Sequence, residues 1–270
     1  MAVSATHGDR SYADRVRDVD AAGAIHATEA SGAAFRAIAP MLAFPDDATV
    51  FMEQTRAGYI DPRAHVRAEL AVAALAGAVH FDLAASSVTE GRDAAEVTLT
   101  DGRALRAPRV VVACGGYSIG ADLLPDTVPV RVLARTIAFA ALGEAEAQRL
   151  SDMPSVIYCL PGVDRDVYVL PPVVYPDGRT YLKIGGDPRD VALRTVDEIN
   201  AWFRTDGDPE VGRGLIGHLR ALLPDLKAEA VHTGSCVTTY TPTGKPLIHH
   251  QSEHVIVLTG GNGAGAKNAD

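Results

Sequence analysis

The sequence predicts a mixed fold, α/β with α+β character, and three observations support it. A continuous apolar run at residues 109–114 is typical of a parallel-type strand that is buried on both faces of a sheet. Alternating side chains in three segments between 79 and 100 predict a small meander, and strand-like segments recur between 128 and 184. Because helical sequence interrupts the strands without following each of them, we expect two interleaved layers.

The N-terminal third is rich in alanine. Residues 11–44 are compatible with helix, and Pro40 and Pro45 are expected to stop helical segments because proline cannot continue them. A short strand is predicted at Thr49–Glu53, which contains β-branched and aromatic residues.

A second helix is predicted from Pro62 to about Ala76. Asp61 can cap this helix, and proline suits its first position because the missing N–H would have no helical partner. Val66 and Leu70 fall on one apolar stripe of the predicted helix.

The remaining elements are mostly strands. Asp101-Gly102 is a turn pair typical of hairpins. Gly115 and Gly116 follow the apolar run and predict a turn that presents backbone N–H groups. The other predicted strands are 79–81, 87–90, 96–100, 130–132, 167–170, 181–184, 231–240 and 255–259. The other predicted helices are 195–203 and 210–223.

Composition excludes several classes of partner. The 270 residues are 47% hydrophobic and carry a formal net charge of −9, which argues against a nucleic-acid or anionic-membrane partner. No apolar run reaches the roughly 18 residues of a membrane span, and the N-terminus lacks the apolar core of a signal peptide. Three widely spaced cysteines predict neither a disulfide framework nor a metal site. We therefore expect a cytoplasmic protein.

The last predicted strand runs into a loop with glycines at 260, 261, 263 and 265, followed by Lys267. Such a loop lets the backbone approach an anion or the edge of a flat cofactor closely. It does not fit a dinucleotide fingerprint, because no residues follow that could form the phosphate-binding helix and the ribose-binding acid. We expect that the loop closes over a cofactor held elsewhere and that the end of the protein is missing.

Several motifs in order resemble one family. They are Gly58-Tyr-Ile-Asp-Pro-Arg63, Asp101-Gly102, Val110-Val-Val-Ala-Cys-Gly-Gly-Tyr-Ser118, Tyr168-Val-Leu-Pro171, Tyr181-Leu-Lys-Ile-Gly185, Cys236-Val-Thr-Thr-Tyr-Thr-Pro242 and the closing glycine loop with Lys267. Together they resemble the FAD-dependent amine and amino-acid oxidases of the D-amino-acid oxidase/sarcosine oxidase type.

The resemblance implies an FAD-binding domain interleaved with a mixed antiparallel-sheet substrate domain. We assign residues 1–45, 60–127 and 240–270 to the remnant of the FAD-binding domain, and residues 46–59 and 128–239 to the substrate domain. The family begins with a βαβ unit of roughly 30 residues that carries the glycine fingerprint. Neither this unit nor a C-terminal helix is recognisable here, so we expect a chain truncated at both ends that binds FAD poorly.

The resemblance also implies catalytic roles. Lys183 takes the place of a lysine above the flavin that favours oxygen reduction. The alternative is an exposed strand lysine without a catalytic role. Lys267 takes the place of a carboxylate-binding residue, and a frayed terminal lysine is the alternative. Tyr168 matches a substrate-pocket tyrosine or, equally, a core aromatic residue. The family pattern has a histidine where this chain has Asp187, which puts the usual substrate in doubt.

Residues implied to contact the cofactor are Cys236, Gly115, Gly116, Gly261, Gly263, Gly265 and His7. Cys236 matches a cysteine that bonds covalently to the flavin in the sarcosine oxidase branch, although a buried strand cysteine commonly only packs. The His7-Gly8-Asp9 segment resembles the loop after the second strand of the nucleotide-binding unit.

The function implied is oxidation of the C–N bond of a small amino acid or N-methyl amino acid, with oxygen or another acceptor reoxidising the flavin. A carrier- or quinone-linked amino-acid dehydrogenase has the same motifs. A non-catalytic remnant, or a subunit whose nucleotide-binding unit lies on another polypeptide, is the alternative from a different class.

Overall fold

The computed structural model describes residues 1–55, 57–120, 123–160 and 166–265, and they form two compact units. The first unit comprises Met1–Tyr59, Thr136–Arg189 and Thr205–Cys236, and the second comprises Ile60–Arg135, Asp190–Arg204 and Val237–Asp270. Mixed α/β structure with several sheets confirms the predicted fold class.

The strands are β1 (Ala2–Thr6), β2 (Ala27–Ser31), β3 (Thr49–Glu53), β4 (Ala85–Glu90), β5 (Ala95–Leu99), β6 (Ala104–Ala107), β7 (Val110–Val112), β8 (Arg131–Leu142), β9 (Ser155–Cys159), β10 (Asp166–Val174), β11 (Thr180–Gly185), β12 (Val191–Leu193), β13 (Ala228–Tyr240), β14 (Leu247–His250) and β15 (Val255–Thr259). The helices are α1 (Arg10–Ala21), α2 (Gly32–Phe35), α3 (Pro62–Leu75), α4 (Glu144–Arg149), α5 (Val196–Phe203) and α6 (Pro209–Leu222), and Gly115–Ile119 forms a 3₁₀ turn.

The first unit is built on a large sheet. Its strand order is β8-β11-β10-β9-β1-β3-β2, with β13 also paired to β8. The β1–β9 pair is parallel, whereas β8, β11, β10 and β9 pair antiparallel along this sequence of neighbours. One face of the sheet is apolar: Leu182 and Ile184 of β11 are fully buried in the same core as Leu215 and Leu219 of α6. This packing leaves the alternate side chains of β11 on the opposite face.

Local sequence explains where α6 begins. The Asp208 carboxylate accepts the backbone N–H groups of Glu210 and Val211, and Pro209 occupies the first turn. An aspartate cap followed by proline leaves few unpaired N–H groups at a helix start. Apolar residues at helical spacing then direct one stripe of α6 into the core.

The buried carboxylate of Glu146 joins α4 to the segment before β13. Glu146 is 7% exposed, pairs with Arg149 at 2.6 Å, and accepts the Lys227 N–H at 3.0 Å. The hydrogen bonds from Arg149 and then that from Lys227 hold the pKa of Glu146 below its usual range, against the opposing effect of burial. Because the pKa of Glu146 is lower in the folded than in the unfolded protein, its charge stabilises the fold at any pH above the unfolded-state pKa. This stabilisation is lost as the pH falls through the folded-state pKa.

We predict that Glu146→Gln lowers the free energy of unfolding by about 2 kcal/mol near neutral pH, because the charged partner of Arg149 is removed. Urea denaturation should show the difference from the parent narrowing as the pH falls below the ordinary glutamate pKa. Glu144→Gln, at a more exposed position of the same helix, is the matched control. If the difference in the free energy of unfolding between Glu146→Gln and the parent stays constant with pH, the stabilising role of the Glu146 charge is contradicted.

The second unit contains two three-stranded sheets, β14-β15-β7 and β4-β5-β6. The pair β7–β15 is parallel, and β4-β5-β6 is an antiparallel meander. The predicted strands 87–90 and 96–100 correspond to β4 and β5, whereas the third strand of the meander is β6 and not the predicted segment 79–81. Val112, Val255 and Val257 share a core with Val88 of the meander. Helix α3 begins as predicted: the Asp61 carboxylate accepts the N–H groups of Arg63 and Ala64, and Pro62 occupies the first helical position.

The prediction that residues 109–114 are buried on both faces is wrong. Only Val110–Val112 form a strand, Val111 is 55% exposed, and Cys114 is exposed. The reason is that β7 joins the core through one face, that of Val112, while the described residues leave the opposite face uncovered. The apolar stripe of α3 is uncovered as well, since Val66 and Leu70 are 55% and 48% exposed.

Several other elements differ from expectation. The predicted helical region 11–44 contains α1 but also β2, because residues 27–31 pair antiparallel with β3. The described residues 79–81 form no strand. Residues 1–45 fall in the same compact unit as 46–59, because β1 pairs with both β3 and β9. The division into an FAD-binding domain and a substrate domain stays a prediction.

Candidate active site

Lys183 lies on the face of the large sheet opposite the α6 core. It is flanked in register by Phe139 on β8 and Leu170 on β10, so these three side chains share that face. Leu182 and Ile184, its neighbours along β11, point into the core. The alternation predicted for this strand is present, and it leaves the Lys183 side chain half-buried.

The ammonium of Lys183 lies over an aromatic ring. Its Nζ is 5.5 Å from the centroid of the Tyr168 ring, which is within the range of a cation–π contact. Tyr168 itself pairs in register with Gly185. A Cβ atom at Gly185 would lie 2.4 Å from both Cζ and the hydroxyl oxygen of Tyr168. The ring therefore crosses the backbone at Gly185 in space that only glycine leaves open.

Tyr168 is kept in its neutral form. Burial raises its pKa well above the usual tyrosine value, and the nearby Cys236 and Tyr175 contribute in the same direction. Cys236 is half-buried and forms no disulfide bond. The structure thus brings together three of the predicted site residues: Lys183, Tyr168 and Cys236.

Four further rings form an aromatic cluster in the same unit: Phe139, Tyr175, Tyr181 and His232. The imidazole of His232 stacks on Phe139 with centroids 4.9 Å apart and an interplanar angle of 18°. Tyr181 contacts both rings edge-on and donates its hydroxyl proton to Asp177 at 2.6 Å. Because Phe139 is also the register partner of Lys183, the surroundings of the lysine are largely aromatic.

Asp187 has a structural task that the sequence did not indicate. One carboxylate oxygen accepts the Thr136 N–H at 2.7 Å, and the other accepts the Arg189 N–H at 2.8 Å. The carboxylate therefore holds the segment after β11 against β8. The Asp187 carboxylate, at the position where the family pattern has a histidine, thus accepts hydrogen bonds from two backbone N–H groups.

His7 lies at the end of β1, where its Nε2 is 3.3 Å from the Asp47 carboxylate. Both side chains are substantially exposed. This contact is a surface pair, and the predicted cofactor role of His7 stays a prediction.

The second unit carries the glycine turns. The parallel strands β7 and β15 lead at their carboxyl ends into the Gly115–Ile119 turn and the Gly260–Gly265 loop. The Thr259 hydroxyl donates to the Gly115 carbonyl at 3.1 Å and so joins the two turns. In open α/β sheets, ligands bind in the crevice outside the carboxyl ends of the strands. The turn with Gly115 and Gly116 and the loop with Gly261, Gly263 and Gly265 therefore follow neighbouring strands at the same edge of this sheet. Their predicted role in cofactor binding stays a prediction.

The loop after β15 has a defined shape. Asn262 has a positive φ of 49°, donates its N–H to the Thr239 carbonyl at 2.9 Å, and accepts the Thr241 N–H at 2.9 Å. These contacts secure the loop to the end of β13. Lys267 lies outside the described residues.

The turns have features that fit a flat, polar cofactor. Among the described residues, the buried hydroxyl of Ser118 has no hydrogen-bond partner. Gly116 is tightly placed, because a Cβ there would lie 3.3 Å from Val132 Cγ1 and 3.5 Å from Thr239 Oγ1. An orphaned buried hydroxyl is what a bound ring with polar edges would complete, whereas the space beside Gly116 is filled by the side chains of Val132 and Thr239.

The surface clefts of the first unit do not contain the predicted site residues. Two surface clefts of about 500 and 470 Å³ in the first unit are lined by residues such as Arg179, Pro172 and Tyr59, and not by the predicted site residues. Within the described part of the chain, no group of three or more His, Cys, Asp or Glu side chains is placed to hold a metal ion. No helix there is both long and apolar enough to cross a membrane.

One residue of the site was missed at the level of sequence. Gly185 is the last residue of one of the family motifs, and it provides the space that Tyr168 occupies. Its position two residues after Lys183 puts both on one face of β11, which was the available signal. The identity of the ring above it could not be inferred, because Tyr168 lies on another strand.

Parallel strands that end in joined glycine turns, in a chain that also carries a large mixed sheet with Lys183 on one face, are typical of a cofactor-binding α/β protein. The family of FAD-dependent oxidoreductases matches residues 2–270. The chain belongs to this family, as the motifs predicted.

Solved structures share the fold. Fructosyl amine:oxygen oxidoreductase (Amadoriase I) from Aspergillus fumigatus is 18% identical with a TM-score of 0.71, over 98% of this chain and 62% of that one. NikD, an amino acid oxidase essential for nikkomycin biosynthesis, is 20% identical with a TM-score of 0.74, over 96% and 68%. Iminodiacetate oxidase from a Chelativorans species is 19% identical with a TM-score of 0.66, over 98% and 69%.

The chain thus spans 62% of the amadoriase structure, which is less than two thirds of its length. No curated protein sequence matches the chain.

Proposed function

We propose that the protein is an FAD-dependent oxidoreductase that oxidises the C–N bond of a small amino acid or N-methyl amino acid, as sarcosine oxidases do. The observation that carries this proposal is the placement of Lys183 over the Tyr168 ring, next to Cys236, in a chain of the FAD-dependent oxidoreductase family. The similar structures named as an amadoriase, an amino acid oxidase and an iminodiacetate oxidase support an amine substrate.

The glycine turns of the second unit would hold the cofactor. Gly115 and Gly116 on one turn, and Gly261, Gly263 and Gly265 on the other, let the backbone approach a flat ring closely. The Ser118 hydroxyl offers a buried donor or acceptor for a polar ring edge. Cys236 is the candidate for a covalent bond to the flavin, and His7 for a contact near the nucleotide.

A bound FAD would supply the acceptor for a hydride equivalent from the carbon next to the substrate nitrogen, and water would hydrolyse the imine product. The residues of this chain orient the substrate. The neutral Tyr168 can donate its hydroxyl proton to a substrate carboxylate, because burial opposes ionisation of the phenol. Lys267 would hold the same carboxylate as a point charge.

Lys183 supplies positive charge where oxygen would be reduced. Oxygen takes up two electrons and two protons to give hydrogen peroxide, and the first electron creates a negative charge that a fixed ammonium stabilises. This role distinguishes an oxidase from a dehydrogenase that passes electrons to a carrier or quinone. Peroxide release measured against dye reduction separates the two. A cytoplasmic location stays a prediction.

The proposal is tested by expressing the protein with its flanking genomic coding sequence and recording the visible spectrum with added FAD. We expect a yellow protein that consumes oxygen and releases peroxide with N-methyl amino acids. A product that stays colourless would end the proposal.

We predict that the flavin remains with the polypeptide after acid precipitation, through a bond to Cys236. Cys236→Ser should release it into the supernatant, and Cys159→Ser is the matched control. Burial raises the pKa of Cys159 to about 11, so its thiol is a poor nucleophile near neutral pH. Flavin that is released equally from all three proteins would exclude a covalent bond.

A further inference from the structure

The contact between Lys183 and Tyr168 is built by the pairing of two strands. Strand β10 places Leu170 opposite Lys183 and Tyr168 opposite Gly185, so the ring and the ammonium meet diagonally across β10 and β11. Diagonal neighbours of this kind are within reach of long and aromatic side chains. The observed distance of 5.5 Å from Nζ to the ring centroid agrees with this geometry.

Gly185 determines where the ring lies. Built on this backbone, a Cβ at Gly185 would overlap Cζ, the hydroxyl oxygen and Cε1 of Tyr168, at distances of 2.4, 2.4 and 2.5 Å. The φ angle of Gly185 is not positive, so the requirement for glycine there is one of space and not of backbone conformation. Any larger residue would move the ring away from Gly185.

We propose that Tyr168 is a positioning residue for Lys183 and acts through its ring face, with Gly185 providing the space for that ring. The ring attracts the ammonium electrostatically and restricts a side chain that otherwise has a flexible four-carbon stem. The Tyr168 hydroxyl is not needed for this task. The ring thus keeps the lysine charged and in one place on the sheet face.

The functional importance of this contact rests on the proposed function, because the positioned charge of Lys183 would act on the reduction of oxygen. The contact itself is testable without flavin. The chain has four lysines, and Lys227 and Lys245 are exposed in the described part, so they serve as internal standards.

The experiment is competitive trace acetylation of the purified protein across a pH range, with each lysine quantified by peptide mass spectrometry. Three variants are compared with the parent: Tyr168→Phe, Tyr168→Leu and Gly185→Ala. In Tyr168→Leu, the neutral fraction of Lys183 at a fixed pH is expected to rise about 2- to 30-fold, equivalent to about 0.5–2 kcal/mol. Its labelling profile should therefore move to lower pH.

The other variants test the mechanism. Tyr168→Phe keeps the ring and should leave the Lys183 profile unchanged, whereas Gly185→Ala displaces the ring and should follow Tyr168→Leu. A change in accessibility alone would alter the labelling rate at every pH without moving the profile. If Tyr168→Phe behaves like Tyr168→Leu, or if Tyr168→Leu leaves the profile in place, the inference is overturned.

The two Tyr168 variants keep the test decisive even if Gly185→Ala fails to fold. Failure of the proposed function would be seen separately, as a protein that stays colourless with FAD or releases no peroxide. The Lys183 labelling profiles of the parent and the variants would still differ as expected in that case.

Discussion

Replacing Lys183 with methionine is expected to slow the reoxidation of reduced flavin by oxygen about 100- to 1,000-fold in the FAD-loaded protein. Methionine keeps the length and apolar stem of the side chain but removes the charge that faces the developing negative charge. Loss of one preorganised electrostatic group commonly has an effect of this size. Stopped-flow mixing of the anaerobically reduced protein with oxygenated buffer measures the rate.

The matched control is Lys227→Met, which removes an exposed lysine of the same unit. Its reoxidation rate should equal that of the parent. Anaerobic reduction by the amine substrate should change much less than reoxidation in Lys183→Met, because the charge acts on oxygen. A variant that reoxidises at the parental rate would remove Lys183 from the oxygen site.

Gly32→Ala is expected to lower the free energy of unfolding by about 3 kcal/mol, through overpacking. A Cβ at Gly32 would lie 1.9 Å from the Pro45 carbonyl oxygen, which belongs to backbone and cannot rotate away. The two segments are also joined by hydrogen bonds, from the Gly32 N–H to Ala48 at 2.8 Å and from the Ala33 N–H to Asp46 at 3.1 Å. Separating them to admit a methyl group would break these bonds.

Gly214→Ala provides the control of opposite sign. Gly214 lies within α6, is exposed, and has nothing within 4 Å of a Cβ position. Alanine in an exposed helix interior should stabilise the protein by about 0.5–1 kcal/mol. Urea denaturation of both variants measures the contrast. Equal stability of Gly32→Ala and the parent would show that the backbone at Pro45 yields.

Elements that depend on neighbouring residues were predicted well. The Asp61-Pro62 cap, the strand Thr49–Glu53 and the closing strand Val255–Thr259 all agree with the structure. Capping bonds and short apolar strands are determined within a few residues, so one segment of sequence contains the information. The family was likewise recognisable, because its motifs are short and occur in order.

Burial was predicted less well, because it depends on what covers a strand or helix. The apolar run at Val110–Val112 has the composition of a strand covered on both faces, yet Val111 is exposed. The same holds for Leu70 on α3. Composition reports the tendency of a surface to be buried but not the presence of a partner.

The amino-acid order alone was enough to predict helix α3 with its Asp61 cap, helices α5 and α6, two strands of the meander and the candidate residues Lys183, Tyr168 and Cys236. Tertiary structure decided that Tyr168 crosses Gly185 and meets the ammonium of Lys183, and that Asp187 binds the backbone of Thr136. Both results follow from strand register, which is set by packing between segments far apart in the chain. A shift of one residue would have turned Tyr168 to the opposite face, and no local pattern of residues specifies that choice.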